Sequence, residues 1–111
     1  MVISKIELFD ELLRNRALLF KALAHPARLQ ILQFLAETKT CISGDITEVL
    51  PLSRTTVNQH LKELKDVGLI QGHVTGVNMN YCLDYNKVKQ MKEILSGFLN
   101  EIEIPENFFC K

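Results

Sequence analysis

The stretch that most constrains this chain is residues 41 to 67, CISGDITEVLPLSRTTVNQHLKELKDV. It reads as two short helices joined by a tight turn, the second of them amphipathic. Between Ser53 and Val67 the apolar positions Val57, Leu61 and Leu64 are spaced i, i+4, i+7, one face of a helix. At about 100° per residue, Thr55, Gln59, Lys62 and Asp66 point the opposite way, with Asn58 and Arg54 on the shoulder. Ser53 is placed to cap this helix, because its hydroxyl accepts an orphan N–H of the first turn. Gly68 closes it as a left-handed residue. The exposed face thus carries hydroxyls, amides and cations, the groups that read base edges in a major groove. A solvated polar face is the plainer reading of the same pattern.

At 111 residues the chain is long enough for one domain with its own core, taken as residues 1–104 with a short tail, 105–111. Hydrophobic residues at 47% and charged residues at 23% are globular values and argue against disorder. Thirteen basic residues balance thirteen acidic ones. Nucleic-acid affinity must therefore come from local placement of cations rather than overall charge. No apolar run is long enough to span a bilayer. The N-terminal segment has Glu7, Asp10 and Glu11 inside its apolar stretch, unlike a signal peptide. A cytoplasmic protein with no membrane association is expected.

In chain order, residues 4 to 24 have helical spacing (Ile6, Phe9, Leu12, Leu13, Leu19, Phe20, Leu23), acidic early and basic late in keeping with the helix dipole. Their apolar surface exceeds what one small core needs, so a partner helix is expected. His25-Pro26 breaks the pattern, proline being well tolerated at a first helical position. A second helix over 26–37 is expected to bury Leu29, Ile31, Leu32 and Leu35. A third runs from about 42 to 49, Pro51 ends it, and Leu52 is expected to plug the core. After Gly68 the period becomes two, with Thr75-Gly76 as a hairpin tip. Asp84 can cap a last helix over 87–103, whose apolar stripe runs from Val88 through Ile102. The fold class is mainly α with a β-hairpin wing (α-α-α-α-β-β-α), a winged helix-turn-helix.

Three blocks of the sequence resemble the ArsR/SmtB family: Phe20 through Leu32 (FKALAHPARLQIL), Leu52 through Leu64 (LSRTTVNQHLKEL), and Gly68-Leu69-Ile70. The resemblance covers about residues 17 to 100. It implies a dimeric bacterial repressor that releases DNA when a metal, metalloid or other signal occupies it. It also implies that the first and last helices form the homodimer interface. Two recognition helices would then enter successive major grooves about 34 Å apart on a pseudo-palindromic double-stranded operator. The base-reading role carries over to Arg54, Thr55, Asn58 and Gln59, with Lys62 on phosphate. Lys65 is expected to be solvated, and His60 to be a packing and hydrogen-bonding residue. The wing tip, residues 73 to 78, lacks the Arg or Lys that suits a narrow minor groove.

Zinc sensors of this family carry a carboxylate and histidines on the last helix, and residues 87–103 contain no histidine. The histidines at 25, 60 and 73 have no ligand spacing. Arsenic-, cadmium- and lead-sensing relatives place Cys-x-Cys where this chain has Cys41-Ile42-Ser43, so one thiol of that pair is replaced by Ser43. A helix start at Cys41 would lower its pKa and favour the ligating thiolate. A soft ion needs more than one thiol, and Cys110 on the tail is the expected second ligand. The resemblance thus implies a trivalent arsenical or other thiophilic metalloid as inducer, held by Cys41 and Cys110, with no obligatory cofactor. Cys82 is expected to point away from the wing's core-facing side and to be a small buried hydrophobe without a sensing role, and all three cysteines to be thiols rather than a disulfide framework.

Two alternatives stay open. One is a redox-sensing repressor in which Cys41 and Cys110 form a disulfide. The other is a winged-helix interaction module without DNA binding, which the neutral charge and bare wing favour. An enzyme is not expected, since no nucleophile–base arrangement, phosphate-binding glycine loop or paired-carboxylate constellation is present.

Overall fold

The computed structural model describes residues 5–38, 42–43, 46, 50–75 and 78–107. The element order is a 3-10 turn Lys5–Leu8, α1 Glu11–Leu23, α2 Pro26–Thr38, β1 Ile42–Ser43, α3 Arg54–Asp66, β2 Ile70–Thr75, β3 Asn78–Leu83 and α4 Tyr85–Glu101.

The helical boundaries follow from capping chemistry. Asp10 divides the continuous helix expected over 4–24, because its carboxylate takes up the N–H of Leu13 at 2.9 Å and starts α1 afresh. Ser53 caps α3 by accepting from the Thr56 N–H at 3.3 Å. Asp84 caps α4 through the Lys87 N–H at 3.0 Å, so α4 begins two residues earlier than its apolar stripe indicates. Gly68 has φ +82°, the left-handed conformation that lets its N–H and that of Leu69 return to the Lys65 and Leu64 carbonyls.

The sheet has three antiparallel strands in the order β1-β3-β2. In the wing hairpin Ile70 faces Leu83 and Val74 faces Met79. On the other edge of β3, Ile42 faces Tyr81 and Ser43 faces Asn80. This corrects the helix expected to start at residue 42: Ile42 and Ser43 instead supply ladder hydrogen bonds to an otherwise open edge. The remainder of that expected helix falls mostly outside the described residues, although Ile46 and Leu50 are both buried. The hairpin tip read at Thr75-Gly76 also falls partly outside them.

The core joins Leu19 of α1, Ile31 and Leu35 of α2, Ile46 and Leu50, Val57, Leu61 and Leu64 of α3, and Leu69 with Ile70 at the wing base. Each such side chain contributes about 1.5–3 kcal/mol through burial. All three apolar positions of the α3 pattern are buried as its spacing requires. Two expectations fail. Leu29 is 49% exposed and Leu52 is 37% exposed, so neither fills the core; on α2 the buried face is Ala27, Ile31 and Leu35. No residue of α4 is fully buried within the chain.

Candidate nucleic-acid interface

Seating Val57, Leu61 and Leu64 in the core fixes the rotation of α3, and the opposite face is turned outward. Arg54, Thr55, Asn58, Gln59 and Lys62 are all exposed on it, along a rod of 13 residues or about 20 Å. The side chains read from the sequence as base and phosphate contacts therefore share one accessible face. Lys62 pairs with Asp66 at 3.2 Å, both side chains well exposed. Such a surface i,i+4 pair is worth well under about 1 kcal/mol, so a phosphate competes for Lys62 at little cost. The wing adds His73 and Val74 as exposed groups and no cation, since residues 70 to 83 contain neither Arg nor Lys.

A polar node behind this face was not legible as a site. Arg28 of α2 donates from Nη1 to the Lys21 and Ala22 carbonyls at 3.1 and 3.3 Å, and from Nε to His60 Nδ1 at 3.2 Å. His25 caps α2 by accepting the Ala27 N–H at Nδ1, and its ring lies 4.2 Å from that of His60. One guanidinium thus ties the end of α1 and the start of α2 to the buried side of α3. Burial pushes the His60 pKa down, and the charges of His25 and Arg28 push it the same way, against a smaller upward pull from Glu63. His60 is a neutral packing residue, as its position near the core face predicts. The signal that could have exposed its partner is the Arg28 side chain two residues after Pro26, on a helix otherwise poor in charge.

Cys41 and Cys110 both lie outside the described residues. Because Ile42-Ser43 is a strand, the helix-dipole argument for the Cys41 thiolate has no support. Cys82 is described: it sits in β3 between Tyr81 and Leu83, which pack against the core, and it is disulfide-bonded. The expectation of three separate thiols is corrected accordingly. Among the described residues no cluster of three or more His, Cys, Asp or Glu is arranged to hold a metal ion.

Comparison with known proteins bears on this arrangement. A family model described as a helix-turn-helix domain matches residues 23–73. The chain is 41% identical over 67 residues to the HTH-type transcriptional regulator YgaV of Escherichia coli strain K12, covering 60% of this chain and 68% of that protein. It is 38% identical over 80 residues to the arsenical resistance operon repressor of Bacillus subtilis strain 168, covering 71% and 75%. The chain belongs to the ArsR/SmtB family of winged-helix regulators. Among solved structures, HlyU from Vibrio cholerae N16961 superposes with a TM-score of 0.63 at 31% identity, covering 81% of this chain and 97% of that one. As an ArsR/SmtB member the protein is a DNA-binding transcription regulator, and the matched segment contains α2, α3 and the start of the first wing strand. Among the described residues no helix is long and apolar enough to cross a membrane.

Proposed function

We propose that this chain is a homodimeric repressor whose α3 helices read a pseudo-palindromic operator, and that it releases DNA when its thiols take up a trivalent arsenical or a similar soft metalloid. The observation that carries the DNA-reading part is the outward face of α3, where Arg54, Thr55, Asn58, Gln59 and Lys62 stand together over a fully seated apolar face. Arg54 suits guanine and the two amides suit adenine, while Lys62 suits phosphate.

Dimerisation is supported by surface that one chain leaves uncovered. Leu8, Phe9, Leu12, Leu13 and Leu18 around α1, and Leu99, Ile102 and Ile104 at the end of α4, are each 43–80% exposed. Arg16 locks the two helices together, paired through both terminal nitrogens with Glu101 and lying 5.7 Å from the Phe98 ring centre. Beside it runs an apolar groove of about 380 Å³ between Phe9, Leu13 and Phe98. The Nε atoms of Arg14 and Arg16 are shielded there without a hydrogen-bond partner among the described residues. A second copy laid along this groove covers the apolar surface and offers acceptors to both.

The inducer reading rests on the relative from Bacillus subtilis being an arsenical resistance repressor and on the cysteines of this chain. Cys41 and Cys110 are the proposed ligands. The test is fluorescence anisotropy of the reduced protein on DNA from upstream of its own gene, titrated with a trivalent arsenical. Release near one equivalent per subunit, absent in Cys41→Ser, supports the reading. Binding that ignores the arsenical contradicts the inducer, and absence of binding at low salt favours a protein-interaction module instead.

A further inference from the structure

We infer that the groove between α1 and α4 binds a small aromatic carboxylate, and that this guest and the second copy of the chain exclude one another. The exclusion rests on the dimer reading above. Three features of the groove define the guest. Its accessible wall is almost wholly apolar, with Phe9, Leu13, Phe20 and Phe98 around about 380 Å³, within the roughly 300–1,000 Å³ of small-molecule sites. Phe20 and Phe98 meet edge to face, ring centres 5.4 Å apart and planes at 66°, a geometry that a third aromatic ring can extend. Under this wall, Nε of Arg14 and Nε of Arg16 have no hydrogen-bond partner among the described residues.

Buried donors are nearly always paired, and a charged one is the most costly to leave unpaired. Arg16 is only 9% exposed. Both of its terminal nitrogens go to Glu101, which leaves the Nε edge of the guanidinium unused. The Arg14 side chain makes no hydrogen bond or ion pair among the described residues, so none of them holds its stem in place. The neighbouring carboxylates are already engaged, Glu101 with the far edge of Arg16 and Asp10 with the Leu13 N–H. Water is a poor occupant, because it needs about two to four polar partners and this wall offers phenyl rings. A carboxylate is the planar acceptor that arginine edges match, with one oxygen for each donor. A phosphate carries more charge and hydration than an apolar groove accepts.

A second copy laid along the groove covers the same wall and addresses the same donors, so the two occupants compete. A ligand that binds only the separated chain shifts the population toward it by mass action. A separated chain presents one α3 to DNA instead of two, so the guest weakens operator binding without touching the DNA-facing residues.

The test is titration calorimetry of the full chain with 2-naphthylacetate and with its uncharged isostere 2-naphthylacetamide, at several protein concentrations, beside sedimentation equilibrium. The carboxylate is expected to bind at least tenfold more tightly than the amide. Its apparent Kd should rise with protein concentration, and saturation should leave the chain monomeric. Arg14→Met keeps the apolar stem and removes the donor, so it should abolish the preference for the carboxylate. Ala17 lines the groove and is exposed, so Ala17→Leu should fill the space and remove binding of both probes, and it decides the site if Arg14→Met fails to fold. No binding, equal binding of the two probes, or a preference that survives in a folded Arg14→Met overturns the carboxylate site. An apparent Kd that stays constant or tightens with protein concentration overturns the exclusion. A chain that is monomeric without ligand contradicts the dimer reading and with it the exclusion, while the probe preference and its loss in the variants still decide the site.

Discussion

Arg28 and His60 meet across 3.2 Å, Nε donating to Nδ1, and that contact ties the start of α2 to the buried side of α3. The same guanidinium binds the last carbonyls of α1. Protonating His60 removes the lone pair that accepts from Arg28 and places a second cation beside it.

Stability should therefore depend on pH in the histidine range. The His60 pKa in the folded chain lies below its ordinary value of 6.5, so the unfolded chain binds this proton first. The sign is fixed: the contribution is complete above about pH 6.5 and is lost as pH falls through the lower folded value. Thermal midpoints are expected to drop between pH 7.5 and 5.5. His60→Asn, which keeps an acceptor without the titration, should flatten that slope. The carboxyls of Asp84 and Glu101 do not interfere, because their hydrogen bonds, from the Lys87 N–H and from Arg16 respectively, hold their pKa values below the usual carboxylate range. Their contributions are complete above about pH 5 and fade only below it.

Loss of the Ser53 hydroxyl uncaps α3. Ser53→Ala should destabilise the chain by about 1 kcal/mol, or about 4–8 °C in midpoint for a domain near this size. Ser53→Asp, which retains an accepting oxygen, should hold the midpoint near wild type. Calorimetry of the three proteins checks this, and an unchanged midpoint in the alanine variant would mean the cap is idle.

Leu99 lies on the uncovered end of α4, at 61% exposure. Leu99→Asp should leave the monomer folded, because the side chain fills no core position. Sedimentation equilibrium should show dissociation at concentrations where wild type is dimeric, together with at least a tenfold loss of operator affinity. A persistent dimer would place the interface elsewhere.

Lys62 is assigned to phosphate rather than to a base. Lys62→Gln should weaken binding to operator and scrambled DNA alike, and lower the slope of log affinity against log salt by about one per subunit. A loss confined to operator DNA would make Lys62 a base reader.

Helix α3 was the most legible part of the chain because its information is local. Three buried apolar residues at helical spacing, a serine before them and a glycine after them specify α3, its rotation and its ends. Asp84 was legible as a cap for the same reason. Asp10 was not, since the apolar period runs through it and only the carboxylate's hydrogen bond reveals the break. β1 escaped because two residues are too few to show a period of two, and its partner lies 39 positions away in the register of Ile42 with Tyr81. The disulfide state of Cys82 escaped with it. Leu29 and Leu52 were misplaced because hydrophobicity alone does not say which flank of a short helix or turn meets the core. The Arg28–His60 bond joins residues 32 positions apart, a separation that composition and spacing do not encode.

The most direct test of the central claim is fluorescence anisotropy on DNA from upstream of the protein's own gene and on scrambled DNA of equal length. It compares reduced wild type with Asn58→Ala/Gln59→Ala at fixed salt. Wild type is expected to prefer its own site, and the double variant to lose about 1–3 kcal/mol per base contact removed with an unchanged thermal midpoint. Preference that survives both substitutions, or wild type that binds the two DNAs equally, would contradict the assignment of this face of α3 as the reader.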